Sequence, residues 1–563
     1  MRRPTAAALA VLFLLGTCVP PAAAAGESTA VVDADAEPPA VRQDPTTDAE
    51  PQAVRQDPTT DAEPQAVRQD PTTDAEPQAV RQDPPTDEIG WENGYWHDDP
   101  IGVDQSDGLS DAETEAYVAR AMARVEHVRG QEFTESVPVD VIPRSEYRQG
   151  TNDGGSNESF GAWNNQVWEA LFLVGEDADV QQKLGSAYGS SVSGFYSSTD
   201  DQIKIITDSP DEPTIDNATL VHELVHALQD QTRGFNDTPT RETQDGSLAA
   251  DAVVEGEANY VEHQYAQRCG NEWDCVATPR GESGGQSEPP NLGILLTLLQ
   301  PYSDGPVYVD WLRERGGWDA VNDAFDDPPV STEQVIHTTD DRPVPVDFDD
   351  RARAGWEPFP DQGENGSDTV GEASMYVMFW YQARVSNADT VPVRSLARTD
   401  GPLDLYNYDA EPSAGWANDR VVPYRQANGS TTDYGYVWVT EWDTERDARQ
   451  FRRAYRAILD AQDAEKRGDG RYVVPSGSFA DAFRVTRTGT RVTVVNGPTL
   501  DAVDDIRPPG SDAGTAASGA SDGGETDVRS DGGASGVSAP GFGPLVALVA
   551  LLAAVGIARH RHR

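Results

Sequence analysis

The sequence predicts an α+β fold for residues 89–507, and three patterns support this prediction. Residues 192–196 and Gln202–Thr207 have the composition of two short strands joined by a turn. The segment directly after this hairpin has apolar residues at helical spacing. Further along, residues 437–440 are predicted to form a strand and residues 443–459 a helix. Strands and helices are therefore expected in both halves of the folded region.

The predicted helices have their own start and stop signals. Ser110 and Glu113 have the spacing of a capping box that opens a helix, and Gly130 is placed to close it. Residues 137–142 are predicted to be extended, and residues 160–174 helical.

The N-terminal residues are not expected to belong to the folded region. Residues 1–25 have the layout of a secretory signal, because two arginines precede an apolar run and an Ala-rich stretch. Within residues 26–88 the unit AEPQAVRQDPTTD recurs with small variations at a period of 13 residues. This segment is rich in Pro and has no aromatic residue, so it cannot bury enough apolar surface to offset chain entropy. We predict a disordered stalk.

The folded region is predicted to have a first part, residues 89–300, and a second part, residues 301–507. Residues 508–539 form a Gly/Ser/Ala/Asp-rich linker that is expected to be disordered. Residues 540–563 contain Pro-Gly-Phe, an apolar run and a basic tail. The apolar run is shorter than the roughly 20 residues that span a bilayer comfortably.

This C-terminal layout resembles the PGF sorting signal of halophilic archaeal surface proteins. The resemblance implies an exported protein anchored at the cell surface by its C-terminal segment or by a lipid. It also implies an archaeosortase-like processing enzyme as a partner.

The charge excludes one class of function. The chain has 96 acidic and 43 basic residues and a formal net charge of −53. Such a surface repels nucleic acid, so nucleic-acid binding is excluded. Molar salt shortens the Debye length to about 3 Å and relieves self-repulsion, so the acidity indicates adaptation to a salty solvent.

Cys269 and Cys275 are the two cysteines outside the signal segment. In an oxidising exterior their spacing favours a local disulfide over a zinc site, because no Cys-x-x-Cys pair is present.

The segment that most strongly indicates a functional site is His-Glu-Leu-Val-His at residues 222–226. On a helix, His222 and His226 lie on one face, where both imidazoles can bind one Zn²⁺. Glu223 does not need to be a ligand. Its carboxylate can accept a proton from a metal-activated water and so act as a general base. The structural alternative is a pair of histidines satisfied within the core.

A catalytic zinc needs a third protein ligand and an open position. Glu255 is the preferred candidate, on a second helix predicted for residues 247–264, and Glu257 is its rival. Gly256 between them provides space for the approach of another backbone. Asn259 is a candidate to orient a ligand histidine by a hydrogen bond.

These residues resemble the gluzincin branch of zinc peptidases, in which a Glu on a later helix completes a two-histidine site. HELVHALQDQ and AVVEGEANY are similar to segments of a sparsely characterised bacterial and archaeal family of metallopeptidase-like proteins. The resemblance implies a zincin-like fold with the active-site helix under a hairpin sheet, extended by an additional α/β C-terminal half. It also implies a Tyr or His donor that stabilises an oxyanion. His337 is the preferred donor, and the alternatives are Tyr302, Tyr308 and Tyr376.

The sequence therefore predicts a cell-surface zinc metallopeptidase acting on a protein or peptide substrate. His222, His226 and Glu255 would hold Zn²⁺, with Glu223 and His337 as catalytic residues. The alternative is a zincin-like structural or binding protein at the cell surface that hydrolyses nothing.

Overall fold

A computed structural model describes the folded region of the chain. The described residues are 83–147, 158–189, 193–234, 241–278, 290–428, 431–468 and 470–510. The predicted signal segment, the repeats up to residue 82, the linker beyond residue 510 and the C-terminal segment lie outside these residues.

The first part of the chain is mainly helical, with a small sheet. Its elements, in chain order, are β1 (Trp91–Glu92), β2 (Tyr95–Trp96), α1 (Asp111–Arg129), β3 (Val139–Pro143), α2 (Glu158–Ala170), α3 (Val180–Gly189), β4 (Gly194–Ser197), β5 (Gln202–Thr207), α4 (Asn217–Arg233), α5 (Gln244–Arg268), α6 (Leu292–Leu298), α7 (Gln300–Asp326) and α8 (Thr332–Ile336). Helix α7 is interrupted at Gly317, which has a positive φ of 69°.

The predicted cap of α1 is confirmed. The Ser110 side chain accepts a hydrogen bond from the Glu113 backbone N–H, and the Glu113 carboxylate accepts one from Ser110 N at 3.0 Å. Gly130 ends the helix in the left-handed conformation, with φ of 71°. Cap and stop signals therefore determine both ends of this helix.

The predicted hairpin is also confirmed, and it belongs to a three-stranded sheet. Strands β4 and β5 pair antiparallel, and β3 pairs with β5 in parallel. The buried Tyr196, Ile203 and Ile205 side chains share a core with Leu220 and Leu224 of α4. The helix that carries residues 222–226 consequently packs against this sheet.

The second part of the chain is an antiparallel sheet with helices on both faces. Its elements are β6 (Glu357–Pro358), α9 (Gly371–Val385), β7 (Trp416–Asn428), β8 (Thr431–Trp442), α10 (Glu445–Ala461), β9 (Glu465–Lys466), β10 (Arg471–Val473), β11 (Ala482–Thr488), β12 (Arg491–Gly497) and α11 (Leu500–Ile506). The strand order is β6-β7-β8-β12-β11-β10-β9.

The side chains of β8 alternate between the two faces of the sheet, which explains why both faces are covered. Trp438 packs in the larger core with Phe451 and Tyr455 of α10. Its neighbours Val437 and Val439 point to the other face, where the core includes α11. Successive strand residues face opposite sides of the sheet. The apolar run at residues 436–439 of β8 therefore needs a packing layer on each face.

Helices α5 and α7, both in the first part, cross at close range. A Cβ atom added to Gly256 would lie 2.5 Å from the backbone carbonyl of Gly305, and one added to Gly305 would lie 2.6 Å from the Ala252 carbonyl oxygen. The two backbones therefore approach as closely as glycine permits, as predicted for Gly256. Residues on both sides of position 300 share this interface.

The predicted disulfide is confirmed. Cys269, which caps the C-terminal end of α5, is bonded to Cys275. The bond closes a short loop next to Trp273, which is buried.

Candidate metal centre

Helix α4 is buried along most of its length. Asp216 caps it by accepting a hydrogen bond from Ala218 N at 2.9 Å, and Gly234 follows its last turn. The predicted apolar stripe is buried, and so are the polar residues between its members: His222, Glu223 and His226 are each 0% exposed. Buried histidines and carboxylates are stable only when they are paired or bind a metal.

The structure brings together the three predicted metal ligands. His222 Nε2 lies 3.1 Å from Glu255 Oε2, and His226 Nε2 lies 3.3 Å from the same oxygen. The two Nε2 atoms are 2.9 Å apart. Two imidazole nitrogens and one carboxylate oxygen thus converge on a common point, as a two-histidine, one-glutamate zinc site requires.

Electrostatics show that the cluster attracts positive charge. Burial alone would lower the pKa of His222, but its attraction to Glu255 and Glu262 outweighs burial and raises that pKa to about 10. Burial would raise the pKa of Glu255, but His226 and His222 hold it below its usual value. The side chains therefore fit a cation, since a buried carboxylate faces two nitrogen donors.

Glu223 lies beside the ligands but is held by the sheet. Its Oε2 accepts a hydrogen bond from the backbone N–H of Tyr196 in β4 at 2.8 Å. Its Oε1 is buried and has no hydrogen-bond partner among the described residues. Burial raises the pKa of Glu223, although His222 and His226 counteract the effect. One oxygen anchors the side chain, and the other is available to accept a proton.

The structure selects Glu255 over Glu257. The Glu257 carboxylate forms an ion pair with Arg129 and lies 3.7 Å from Arg233 Nη1. Both Arg129 and Glu257 are almost fully buried. Glu257 therefore neutralises arginines behind the site rather than facing the histidines.

The residue hydrogen-bonded to His226 is Gln229, and the prediction that Asn259 fills this position was wrong. Gln229 Nε2 donates to Val254 O at 2.9 Å and to Glu257 Oε2 at 2.8 Å. Its Oε1 must then accept from His226 Nδ1, 2.9 Å away. With the proton on Nδ1, the Nε2 atom of His226 carries the lone pair that binds a metal. Asn259 instead donates to the backbone oxygen of Tyr302.

Among the four candidate oxyanion donors, the structure places Tyr302 at the metal cluster. The Tyr302 hydroxyl is hydrogen-bonded to Glu255, and its ring stacks with that of His222 at a centroid distance of 6.2 Å. Tyr376 is hydrogen-bonded to Ser395. Tyr308 packs against the Trp311 ring.

His337, the preferred donor in the sequence, belongs to a different cluster. Its Nε2 lies 2.9 Å from Glu372 Oε2, and Asp409 completes the group. As predicted from its capping residues, His337 also ends the short helix α8, in which Ser331 caps Gln334 N. The structure thus separates His337 from the group formed by the other predicted site residues.

Comparisons with known families give two matches, both in the C-terminal half of the chain. Residues 357–507 match a family described as a domain of unknown function, DUF8575. This match spans β6 to α11 and excludes the histidine cluster of the first part. No curated protein and no solved structure is significantly similar to the chain.

Residues 539–561 match the PGF-CTERM motif. The protein is an exported, membrane-anchored archaeal surface protein. The motif implies processing by an archaeosortase-like enzyme, as the sequence predicted. In the described part of this surface protein, no helix is both long and apolar enough to cross a membrane.

Access to the metal cluster of this surface protein is closed in the structure. Its three ligands and Glu223 are at most 1% exposed. A cavity of about 10 Å³ lies beside Asp251, one turn before Glu255 on α5, and it is lined also by Trp168 and Thr297. That volume is about the minimum for one water molecule.

Two functional contacts were missed by the sequence. Gln229 is three residues after His226, a spacing that makes them neighbours on a helix, so it could have been found. The contact with the backbone N–H of Tyr196 could not have been found from the sequence, because the approach of β4 to Glu223 depends on packing between distant segments.

Replacing Gln229 by Met is expected to weaken zinc binding by about 10–100-fold, because Nδ1 of His226 loses its acceptor. Zinc affinity would be measured by chelator competition in molar salt. The control is Gln267→Met, because Gln267 is exposed on α5. Equal zinc affinity in the two variants would contradict this role for Gln229.

Proposed function

We propose that this surface protein is a zinc metallopeptidase. The observation that carries the proposal is the convergence of His222 Nε2, His226 Nε2 and Glu255 Oε2 beside a buried Glu223 that has one unpartnered oxygen. Three protein ligands are typical of catalytic zinc, whereas structural zinc is usually held by four.

His222, His226 and Glu255 would hold the ion. When bound, Zn²⁺ polarises a carbonyl group and lowers the pKa of water. Glu223 Oε1 would accept the proton of the attacking water and later deliver it to the leaving amine, while Tyr196 N keeps the carboxylate in place. Tyr302 is the hydroxyl donor next to the ligands, and it would stabilise the oxyanion.

A second function is favoured by one specific observation, the complete burial of the site. A zincin-like scaffold could retain zinc for stability and serve as a structural or binding protein at the cell surface. A site without exposure to solvent can hold zinc but does not admit a substrate. The donor set supports the peptidase, because structural zinc sites usually have four protein ligands and the carboxylate of Glu223 has no structural role at its Oε1 atom.

The two functions are separated by two measurements on the mature protein purified from cell envelopes in molar salt. Zinc content should fall by one equivalent per chain in His226→Ala; no change would exclude the metal site. A peptide library should then be cleaved by the zinc-loaded wild type. Zinc retention without cleavage of any peptide would overturn the peptidase and support the structural function.

A further inference from the structure

The second cluster of potential ligands lies away from the first, between α8 and α9. His337 is the residue after α8, Glu372 is in the first turn of α9, and Asp409 lies in the loop before β7. One nitrogen and two carboxylate oxygens from these residues lie within 4.8 Å of one another. Three segments that are distant in sequence therefore bring ligand atoms to one place.

The buried carboxylate of Glu372 is only partly hydrogen-bonded within the described residues. Glu372 is 0% exposed, and its Oε2 contacts His337 Nε2 at 2.9 Å. Its Oε1 is buried and has no hydrogen-bond partner among the described residues. A buried carboxylate oxygen without a partner is costly, so a protein retains one where a ligand supplies the missing contact.

The backbone around Glu372 is held in place from both sides. The Asp419 carboxylate accepts hydrogen bonds from Gly371 N at 3.0 Å and from Val370 N at 3.2 Å. Gly371 has φ of 76°, and a Cβ there would collide with the carboxylate of Asp245. Thr332 at the start of α8 accepts a hydrogen bond from Ala373 N at 3.2 Å, which joins α8 to α9.

Asp409 is presented by an anchored loop. The hydroxyl of the adjacent Tyr408, which is buried, donates to Leu296 O at 2.6 Å. The backbone N–H of Asp409 donates to the side chain of Asn407 at 3.0 Å. The backbone segments that carry Glu372 and Asp409 are thus held by packing and hydrogen bonds, which restricts where their side chains can lie before a metal binds.

The surroundings add negative charge and leave one side open. Glu333 and Asp443 are close enough to His337 and Glu372 to act on them electrostatically. His337 is 34% exposed, and Asp409 is exposed. A cation there would be bound by protein ligands on the buried side and by water on the other.

We infer that His337, Glu372 and Asp409 form a second, solvent-accessible site for a first-row divalent transition-metal ion such as Zn²⁺ or Mn²⁺. The imidazole nitrogen distinguishes this site from those preferred by Mg²⁺ and Ca²⁺, which bind oxygen ligands. The inference does not depend on the proposed peptidase, because it rests on other residues.

The test counts metal ions at each site separately. Mature protein in molar salt is stripped with a chelator, loaded with Zn²⁺, passed through a desalting column and analysed for zinc. We expect about two equivalents per chain in the wild type and about one in His226→Ala or His337→Ala. His226→Ala with His337→Ala should retain none. His263→Ala is the matched control, since His263 belongs to neither cluster, and it should retain both equivalents.

A further variant, Asp409→Asn, keeps the test valid if loss of a histidine prevents folding, because Asp409 is exposed. It should weaken binding of the second Zn²⁺ by about 10-fold or more. The inference is overturned if folded His337→Ala and Asp409→Asn bind as much Zn²⁺ as His263→Ala. It is also overturned if millimolar Ca²⁺ displaces the second equivalent. If instead His337→Ala loses one equivalent of Zn²⁺ and His226→Ala loses none, the second site stands and the site of the proposed peptidase is refuted.

Discussion

Glu223→Gln is expected to lower kcat/KM for peptide cleavage by about 10²–10⁴-fold, the usual contribution of general acid–base catalysis. Gln has nearly the same shape as Glu and its oxygen can still accept the Tyr196 N–H, so the helix and the ligands should keep their positions. It cannot take a proton from water. The measurement is the rate of cleavage of the best library peptide in molar salt.

Two controls make this result specific. Zinc content should be unchanged in Glu223→Gln, which shows that the loss is not a loss of metal. Glu115→Gln replaces an exposed glutamate of α1 and should leave kcat/KM as in the wild type. Equal cleavage by Glu223→Gln and the wild type would refute Glu223 as the general base.

Glu257→Gln is expected to reduce the free energy of unfolding by about 3–5 kcal/mol, because it leaves a buried arginine without its counter-ion. Arg129 is 3% exposed at its side chain, and its guanidinium stacks over the Trp318 ring. The variant also disturbs Gln229, which donates to Glu257 and orients His226. Urea unfolding in molar salt would measure the change.

The double variant Arg129→Met with Glu257→Gln tests the cause, because removal of both charges should restore part of the lost stability. Glu314→Gln, an exposed glutamate on α7, is the control and should be close to neutral. If Glu257→Gln is as stable as Glu314→Gln, the ion pair with Arg129 has no structural role.

The pH dependence follows from the same pair. Burial alone would raise the pKa of Glu257, but Arg129 and Arg233 outweigh burial and hold it below its usual value of 4.5. A carboxylate with a depressed pKa in the folded state contributes stability above its unfolded pKa and loses it as the pH falls through the folded value. The difference between wild type and Glu257→Gln should therefore be full at pH 7 and shrink below 4.5.

The sequence by itself determined the features that depend on local spacing. His222 and His226 share a helix face because they are four residues apart, and Cys269 can reach Cys275 because the loop between them is short. The caps of α1 are equally local, because Ser110 and Glu113 bond to each other's backbone. The C-terminal motif also identified the cell surface as the location.

Only the tertiary structure decided which distant groups meet. The sequence favours Glu255 but leaves Glu257 as its rival. In the structure they lie on different sides of α5, so Glu255 faces the histidines and Glu257 faces Arg129. Likewise His337 was expected beside Glu223, whereas the packing of α8 against α9 pairs it with Glu372. Local patterns specify the direction of a side chain on its own helix. What that side chain meets depends on how helices and sheets pack, which is set by burial of apolar surface along the whole chain.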